Sequence, residues 1–348
     1  MGERRDTTFE SLGLDPRLQS FLFPRSRTFT DQKKPPTKPS ASASRLEIVS
    51  HIRAREQENY DQAPIMAGKD WKSMDGVVIK KTSIPGPADS KVVIPIDVYT
   101  PSQQTSTSPA GTVVFYHGGG MMIYSKNHPV YVRTAKELAR GGLRVVVPEF
   151  RSAIDAPFPC GLLDCYETML WAARKFGPVV LFGDSGGGNL SYAVTLLAKR
   201  RSQLSLILGT YTLAPYVWGT YPAPQFPSLA KYDSLTYTRW LNTHVARLYT
   251  TNKKDAKSGL AWPAQACLDE LKGLPPTVIH CNEFDMLLDS AVYFHKQLLR
   301  AGVKSTYVLS KGTCHDADIW FGLMPELTRA LVEKVRNFVI VRTHEEQQ

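Results

Sequence analysis

The sequence has no apolar run approaching the 18 or more residues that a membrane span requires. Its first residues, MGERRDTTFESLG, lack the apolar core of a signal peptide, and Asp6 stands where a myristoylation motif needs Ser or Thr. No membrane partner is expected, and a cytoplasmic location is. Cysteine is scarce: Cys160, Cys165, Cys267, Cys281 and Cys314 form an odd set without CxxC spacing. Such a set offers neither a disulfide framework nor zinc-ligand spacing, so reduced thiols and no metal site are expected. Neither G-x-G-x-x-G nor G-K-[ST] occurs, which argues against a bound nucleotide, and no organic cofactor is expected. Gly and Pro number 24 each in 348 residues, too few for a collagenous or low-complexity chain.

What is present is a basic excess of +10, but it is scattered. Its densest patches, Lys33-Lys34, Lys199-Arg200-Arg201 and Lys253-Lys254, are short and read as solvated surface rather than a phosphate footprint, so no nucleic-acid partner is expected. Hydrophobic residues make up 43% of the chain and charged ones 21%, enough apolar surface for a sizeable core. The length suits one large α/β domain with an attached subdomain, or two ordinary domains.

Residues 26–44, rich in Lys, Pro and Ser, read as a mobile loop between two helix-compatible stretches within 1–25 and 45–62. Short β-rich runs follow at 77–81, 91–99, 112–116, 144–148, 179–182, 205–209, 277–281 and 303–309. Helical segments are expected at 129–140, 160–176, 188–201 and 288–301. Strands alternating with helices imply a mostly parallel sheet covered on both faces. Residues 215–272, rich in aromatics, Pro and Lys, are too long for a simple crossover and read as an inserted helical subdomain.

The strongest chemical signal is Gly183-Asp184-Ser185-Gly186-Gly187, a G-x-S-x-G match between a strand and a helix. That context is what a nucleophile elbow demands: the turn strains the serine backbone, and its neighbours are glycines because side chains would clash. A Gly-rich packing or phosphate turn is the bland alternative. The second signal, His117-Gly118-Gly119-Gly120, follows the strand 112–116. Acyl transfer builds negative charge on a carbonyl oxygen, and backbone N–H groups exposed by such a loop stabilise it. His117 reads as orienting this loop.

A serine nucleophile needs a base and an orienting acid. Asp285 lies just past the strand 277–281, on the rim of the sheet where carboxylates act. Asp289 and Glu283 compete with it for that role. His315 leaves the next strand 30 residues later and is the candidate base. His280 lies within a strand and reads as a core residue; His51, His128, His244, His295 and His344 read as surface or packing residues. Asp184 reads as a brace for the elbow or nearby loops.

With these residues placed, the sequence resembles the hormone-sensitive-lipase family of α/β-hydrolases, the HGGG-bearing esterase branch. Besides the two glycine motifs, the stretch Phe150–Pro159 with Asp164 after it, Leu274-Pro275-Pro276-Thr277, and the segment from Glu283 to Asp289 resemble family segments, so the likeness covers about residues 70–335. The resemblance implies an α/β-hydrolase fold, a serine carboxylesterase acting on a small-molecule ester, and Ser185 as nucleophile, Asp285 as acid and His315 as base. Its oxyanion donors would be the backbone N–H groups of Gly119, Gly120 and Gly186. It also implies a helical cap built from 1–62 and 215–262 over a catalytic domain of 63–214 and 263–348. The sequence departs from the family in having Gly186 where Ala is usual, Met121 where an aromatic is common, and Asp316-Ala317 after His315 in place of Gly-Phe. Amide or acetyl removal and acyl transfer or cyclisation use the same groups. The family also includes a plant hormone receptor that lost the catalytic histidine, and His315 argues against that non-catalytic alternative.

Overall fold

The computed structural model describes residues 13–23, 43–88, 91–102 and 109–346. The Lys/Pro/Ser-rich segment expected as a loop lies, apart from Ala43 and Ser44, outside the described residues. Eight strands form one sheet: β1 (Val77–Pro85), β2 (Val93–Pro101), β3 (Thr112–Tyr116), β4 (Arg144–Pro148), β5 (Val179–Asp184), β6 (Ile207–Leu213), β7 (Thr277–Phe284) and β8 (Ser305–Cys314). Their order is β1-β2-β4-β3-β5-β6-β7-β8. β1 pairs antiparallel with β2 and β2 with β4, while β4 through β8 run parallel.

The period of two along a strand explains how the helices attach. Val113, Phe115, Val145, Val147, Val180 and Phe182 face one side. They pack against α3 (Pro129–Arg140) and α10 (Pro325–Glu346) through Ala135, Leu138, Leu331, Val335 and Val339. Val114, Tyr116, Val146, Val179 and Leu181 face the other. There they meet α4 (Cys160–Phe176) and α5 (Ser185–Arg200) through Leu162, Met169, Leu190 and Val194. Strands buried on both faces read as continuous apolar runs, which is why TVVFY and VVLF show no alternation. The remaining helices are α1 (Pro16–Leu22), α2 (Arg45–Ala67), α6 (Ser228–Lys231), α7 (Arg239–Tyr249), α8 (Leu268–Leu271) and α9 (Leu288–Arg300).

Several expectations need correction. The helix expected at 188–201 begins at Ser185, because the three glycines are its first turn. The strand expected at 205–209 is Ile207–Leu213, after a single 3₁₀ turn at Leu204–Leu206. β8 runs on to Cys314 instead of ending at 309. Helix α2 continues through Pro64 to Ala67, so a boundary between 62 and 63 cuts a continuous helix; a Ser44–Glu47 capping box starts it. Residues 215–272 are not a helical subdomain. Its helices are the 11-residue α7, the four-residue α6 and α8, and two single 3₁₀ turns at Asp255–Lys257 and Pro263–Gln265. Aromatic packing holds the rest: the buried Trp262 ring lies 5.1 Å from Tyr216 and 5.3 Å from Tyr249. Helix α10 has no counterpart in the sequence reading; it packs through the buried Leu331, Val335 and Val339 with the half-buried Leu327, Val332 and Phe338 beside them.

The contact that sets the position of α5 is a backbone approach. A Cβ on Gly187 would fall 1.9 Å from the Tyr116 carbonyl oxygen at the end of β3. Gly187→Ala must therefore push α5 off β3, and it should destabilise the fold by about 1–3 kcal/mol or more. That corresponds to about 2–4 °C of Tm per kcal/mol. Gly273→Ala, where φ is +72° but an added Cβ meets nothing within 4 Å, is the control: it carries left-handed strain without a clash and a smaller loss. Equal losses in a thermal melt would contradict the close-contact account.

Candidate active site

Ser185 sits where β5 ends and α5 begins, with φ of +47°. A side-chain-bearing residue in this left-handed region is strained and is held there by its surroundings. Here the surroundings are backbone: a Cβ on Gly186 would come within 2.8 Å of both Gly120 N and Met121 N. The sequence departure from Ala to Gly at 186 thus matches a loop that stands too close for a methyl group.

That loop is the HGGG segment after β3. Gly119 has φ of +93°, where any Cβ would also meet the Ile123 carbonyl oxygen at 2.3 Å. The Gly118 N–H donates to Asp184 Oδ1 at 3.1 Å, so Asp184 braces the loop against the elbow. His117 Nδ1 meets the Gly118 carbonyl at 2.9 Å, and the ring stacks on Phe150 at 4.3 Å. Burial lowers the His117 pKa to about 4, so the ring is neutral at ordinary pH. The Gly119 and Gly120 N–H groups donate to no other group among the described residues. The Gly186 N–H belongs to the first turn of α5, where no acceptor exists within the helix. These are free donors beside the serine. From α2, Glu56 Oε1 accepts the Tyr124 N–H at 2.6 Å, which fixes the far end of the loop. Tyr124 lines the cavity where Met121 does not, so it supplies the aromatic group missing at 121. Ala153 N–H donates to the Met121 carbonyl at 2.8 Å, and Arg151 beside it is clamped bidentately by the fully buried Asp164 at 2.7 and 2.8 Å.

His315 leaves β8 and Asp285 leaves β7, one residue beyond the paired Phe284 and Cys314. Asp285 Oδ2 lies 2.7 Å from His315 Nδ1, and His315 Nε2 lies 3.0 Å from Ser185 Oγ. The expected residues therefore meet in one unbroken chain from carboxylate to imidazole to hydroxyl, a chain that can carry a proton off the serine. Asp285 Oδ1 also accepts the Leu287 N–H at 2.9 Å. The rival carboxylates are engaged elsewhere: Asp289 accepts the Ser228 N–H at 2.6 Å and Glu283 the Gly312 N–H at 2.8 Å. His280 is a satisfied core residue, contacting Tyr211 at 3.1 Å and Ser310 at 2.8 Å.

Asn282 and Asp318 have no role in the sequence reading, and Asp316 enters it only as a departure from the family pattern after His315. Asn282 donates to Thr313 at 2.8 Å and to Asp318 at 2.6 Å, and accepts the Asp316 N–H at 3.1 Å. Asp318 also accepts from Ser310 at 2.6 Å, so this buried network fixes the turn that carries His315. Asp316 contacts His315 directly, its Oδ2 standing 3.1 Å from Nε2. Its place next to His315 was the available signal. Burial alone would lower the His315 pKa, but the carboxylates of Asp285 and Asp316 outweigh it and hold the imidazole well above its ordinary value. Asp184 is shifted the other way from an ordinary carboxylate, upward, by complete burial and then by Asp316.

The serine opens into a cavity of about 170 Å³ whose walls come from the loop after β3, from α2 and from the 236–245 stretch. No helix among the described residues is long and apolar enough to cross a membrane. Among them, no group of three or more His, Cys, Asp or Glu is arranged to hold a metal.

Residues 113–318 match the family model described as the alpha/beta hydrolase fold. The chain is 25% identical over 229 residues to an esterase of Acinetobacter venetianus, covering 64% of this chain and 73% of that one. It is 27% identical over 175 residues to the versiconal hemiacetal acetate esterase of Aspergillus parasiticus, covering 45% of this chain and about half, 54%, of the relative. Its fold superposes on brefeldin A esterase, titled a bacterial homologue of human hormone sensitive lipase, with a TM-score of 0.79, 32% identity and 88% of each chain covered. The chain belongs to the alpha/beta hydrolase family, in its hormone-sensitive-lipase-like esterase branch.

Proposed function

We propose that this enzyme hydrolyses a carboxylic ester of a small molecule through an acyl-enzyme on Ser185. The observation that carries the proposal is the continuous contact from Asp285 through His315 to Ser185, at 2.7 and 3.0 Å. Ser185 Oγ attacks the ester carbonyl while His315 Nε2 takes its proton, and Asp285 holds the Nδ1–H tautomer and the resulting imidazolium. The N–H groups of Gly119, Gly120 and Gly186 receive the oxyanion, with the N-terminus of α5 adding its positive end. His315 then returns the proton to the leaving alcohol, and water attacks the acyl-enzyme by the reverse path.

Helix α2 and residues 215–262 act together as a cap. Both line the cavity, and α2 is bonded to the oxyanion loop through Glu56. A site closed in this way suits a compact ester better than a triglyceride at an interface. The acetate ester in the name of the Aspergillus relative fits a role in trimming a small metabolite.

Ser185→Ala should abolish covalent labelling by a fluorophosphonate and reduce p-nitrophenyl butyrate turnover by several orders of magnitude. Persistent labelling at another serine would sink the assignment. Gly186→Ala should displace the Gly120 and Met121 N–H groups and lower kcat by about tenfold or more while KM changes little, since the donors act on the transition state. A rise in KM alone would place the oxyanion site elsewhere.

The pH profile follows from His315. Its neutral form is the base, and its pKa is raised above the ordinary 6.5. Activity should therefore fail on the acid side and rise with pH through an apparent pKa above 6.5 in a kcat/KM profile. By linkage, the raised pKa contributes stability below the unfolded value that is lost as pH climbs through the folded one. Thermal stability and activity should thus move in opposite directions over that window. A midpoint at or below 6.5 would refute the electrostatic assignment.

A further inference from the structure

Asp316 is not used by the hydrolytic steps above, yet it stands at their centre. It follows His315 with φ of +60°, and its N–H is held by Asn282 Oδ1 at 3.1 Å. One carboxylate oxygen, Oδ2, lies 3.1 Å from His315 Nε2, the same nitrogen that meets Ser185 at 3.0 Å. The other, Oδ1, has no hydrogen-bond partner among the described residues although Asp316 is only 9% exposed and lines the cavity. A buried carboxylate oxygen without a donor is unfavourable, and a donor supplied by a ligand would relieve it.

Three observations identify that donor. Nε2 is the atom that delivers a proton to the leaving oxygen, so a group beside Nε2 is near the alcohol half of the ester, not its acyl chain. The charge around His315 is unbalanced, since the carboxyls of Asp285 and Asp316 both contact a single imidazole. The one cationic side chain among the described residues lining the cavity, Arg55, is already paired with Glu58 at 2.8 Å. The nearby walls are aromatic, with Tyr124, Tyr131, Tyr237 and Trp320, and such rings favour a cation over an anion. A hydroxyl would satisfy Oδ1 but leave the charge excess in place.

We propose that Asp316 receives a protonated amine on the leaving alcohol, so that the preferred substrates are esters of amino alcohols. The proposal deepens the Ser185–His315 reading and rests on it. While no amine is bound, Oδ2 holds the proton on Nε2 and competes with Ser185 for the imidazole. The bound ammonium donates to Oδ1, draws the carboxylate's charge away from Nε2 and frees that nitrogen to act as base. Burial, together with Asp285 and Asp318, raises the Asp316 pKa against the pull of His315, and an ammonium reverses that balance in favour of the ionised carboxylate.

The test compares two butyrate esters of similar shape, those of 2-(dimethylamino)ethanol and 3-methylbutanol, at a pH where the amine is protonated. The wild-type enzyme should favour the amino ester in kcat/KM by about tenfold or more, as expected of a charge-assisted hydrogen bond. In Asp316→Asn, whose side chain tolerates the left-handed backbone, the ratio of the two values should fall to near one. Equal wild-type rates overturn the proposal without reference to any variant, as does a preference that survives the substitution. Fluorophosphonate labelling of Ser185 in the same preparations separates the two failures. A labelled but unselective enzyme removes the Asp316 assignment alone, and an unlabelled one removes the serine mechanism and this proposal with it.

Discussion

The Tyr116 carbonyl occupies the place where a side chain on Gly187 would begin, and the Gly120 and Met121 nitrogens occupy the place for one on Gly186. Because two backbone segments meet there without side chains between them, the Ser185 turn and the donor loop after β3 behave as one rigid piece. Much of the remaining structure maintains that contact. Asp184 ties Gly118 to the elbow, His117 stacked on Phe150 holds the start of the loop, and Glu56 holds its end from α2. The strain at Ser185 persists because none of these neighbours can move away independently.

The acidic residues around the serine share a sign but differ in surroundings, and that difference separates their roles. Asp285 accepts a backbone N–H in addition to the imidazole, which fixes its carboxylate in line with Nδ1. Asp184 is fully buried and pushed upward, which suits a structural acid. Asp318 is satisfied by Ser310 and Asn282 and belongs to the support beneath the histidine turn. Only Asp316 combines burial, an unfilled acceptor and contact with the imidazole edge that faces the serine. Four similar side chains thus form a graded field, set by how many donors each has.

Much of the site was legible in the sequence because its parts are short-range signals: a strand, a glycine turn and a helix start within a few residues. The G-x-S-x-G and HGGG segments declare themselves by the absence of side chains, which is visible in one dimension. Asp285 and His315 were placed by where strands end, although the strands themselves run beyond the expected limits. What escaped was contributed from a distance. Asn282 looks like any residue after a strand until its partners Thr313 and Asp318 are seen across β8. The apolar face of α10 gains meaning only against β6, where Phe338 meets Tyr211 and lies over Gly209. Residues 215–272 mislead because aromatic density suggests helices as readily as it suggests the irregular packing around Trp262.

Asp285 and His315 arrive on neighbouring strands, each one residue past the Phe284–Cys314 pair, and β8 is the last strand of the sheet. A slip of one residue at that edge would carry His315 about 3.3 Å along the strand direction. That exceeds the whole 2.7 Å contact with Asp285, and such a slip also turns the side chain to the opposite face. Chains closed in the wrong register at this edge could retain the rest of their core and remain in solution, yet be inert. Under the proposed mechanism, turnover therefore depends on β8 closing in the register that pairs Cys314 with Phe284.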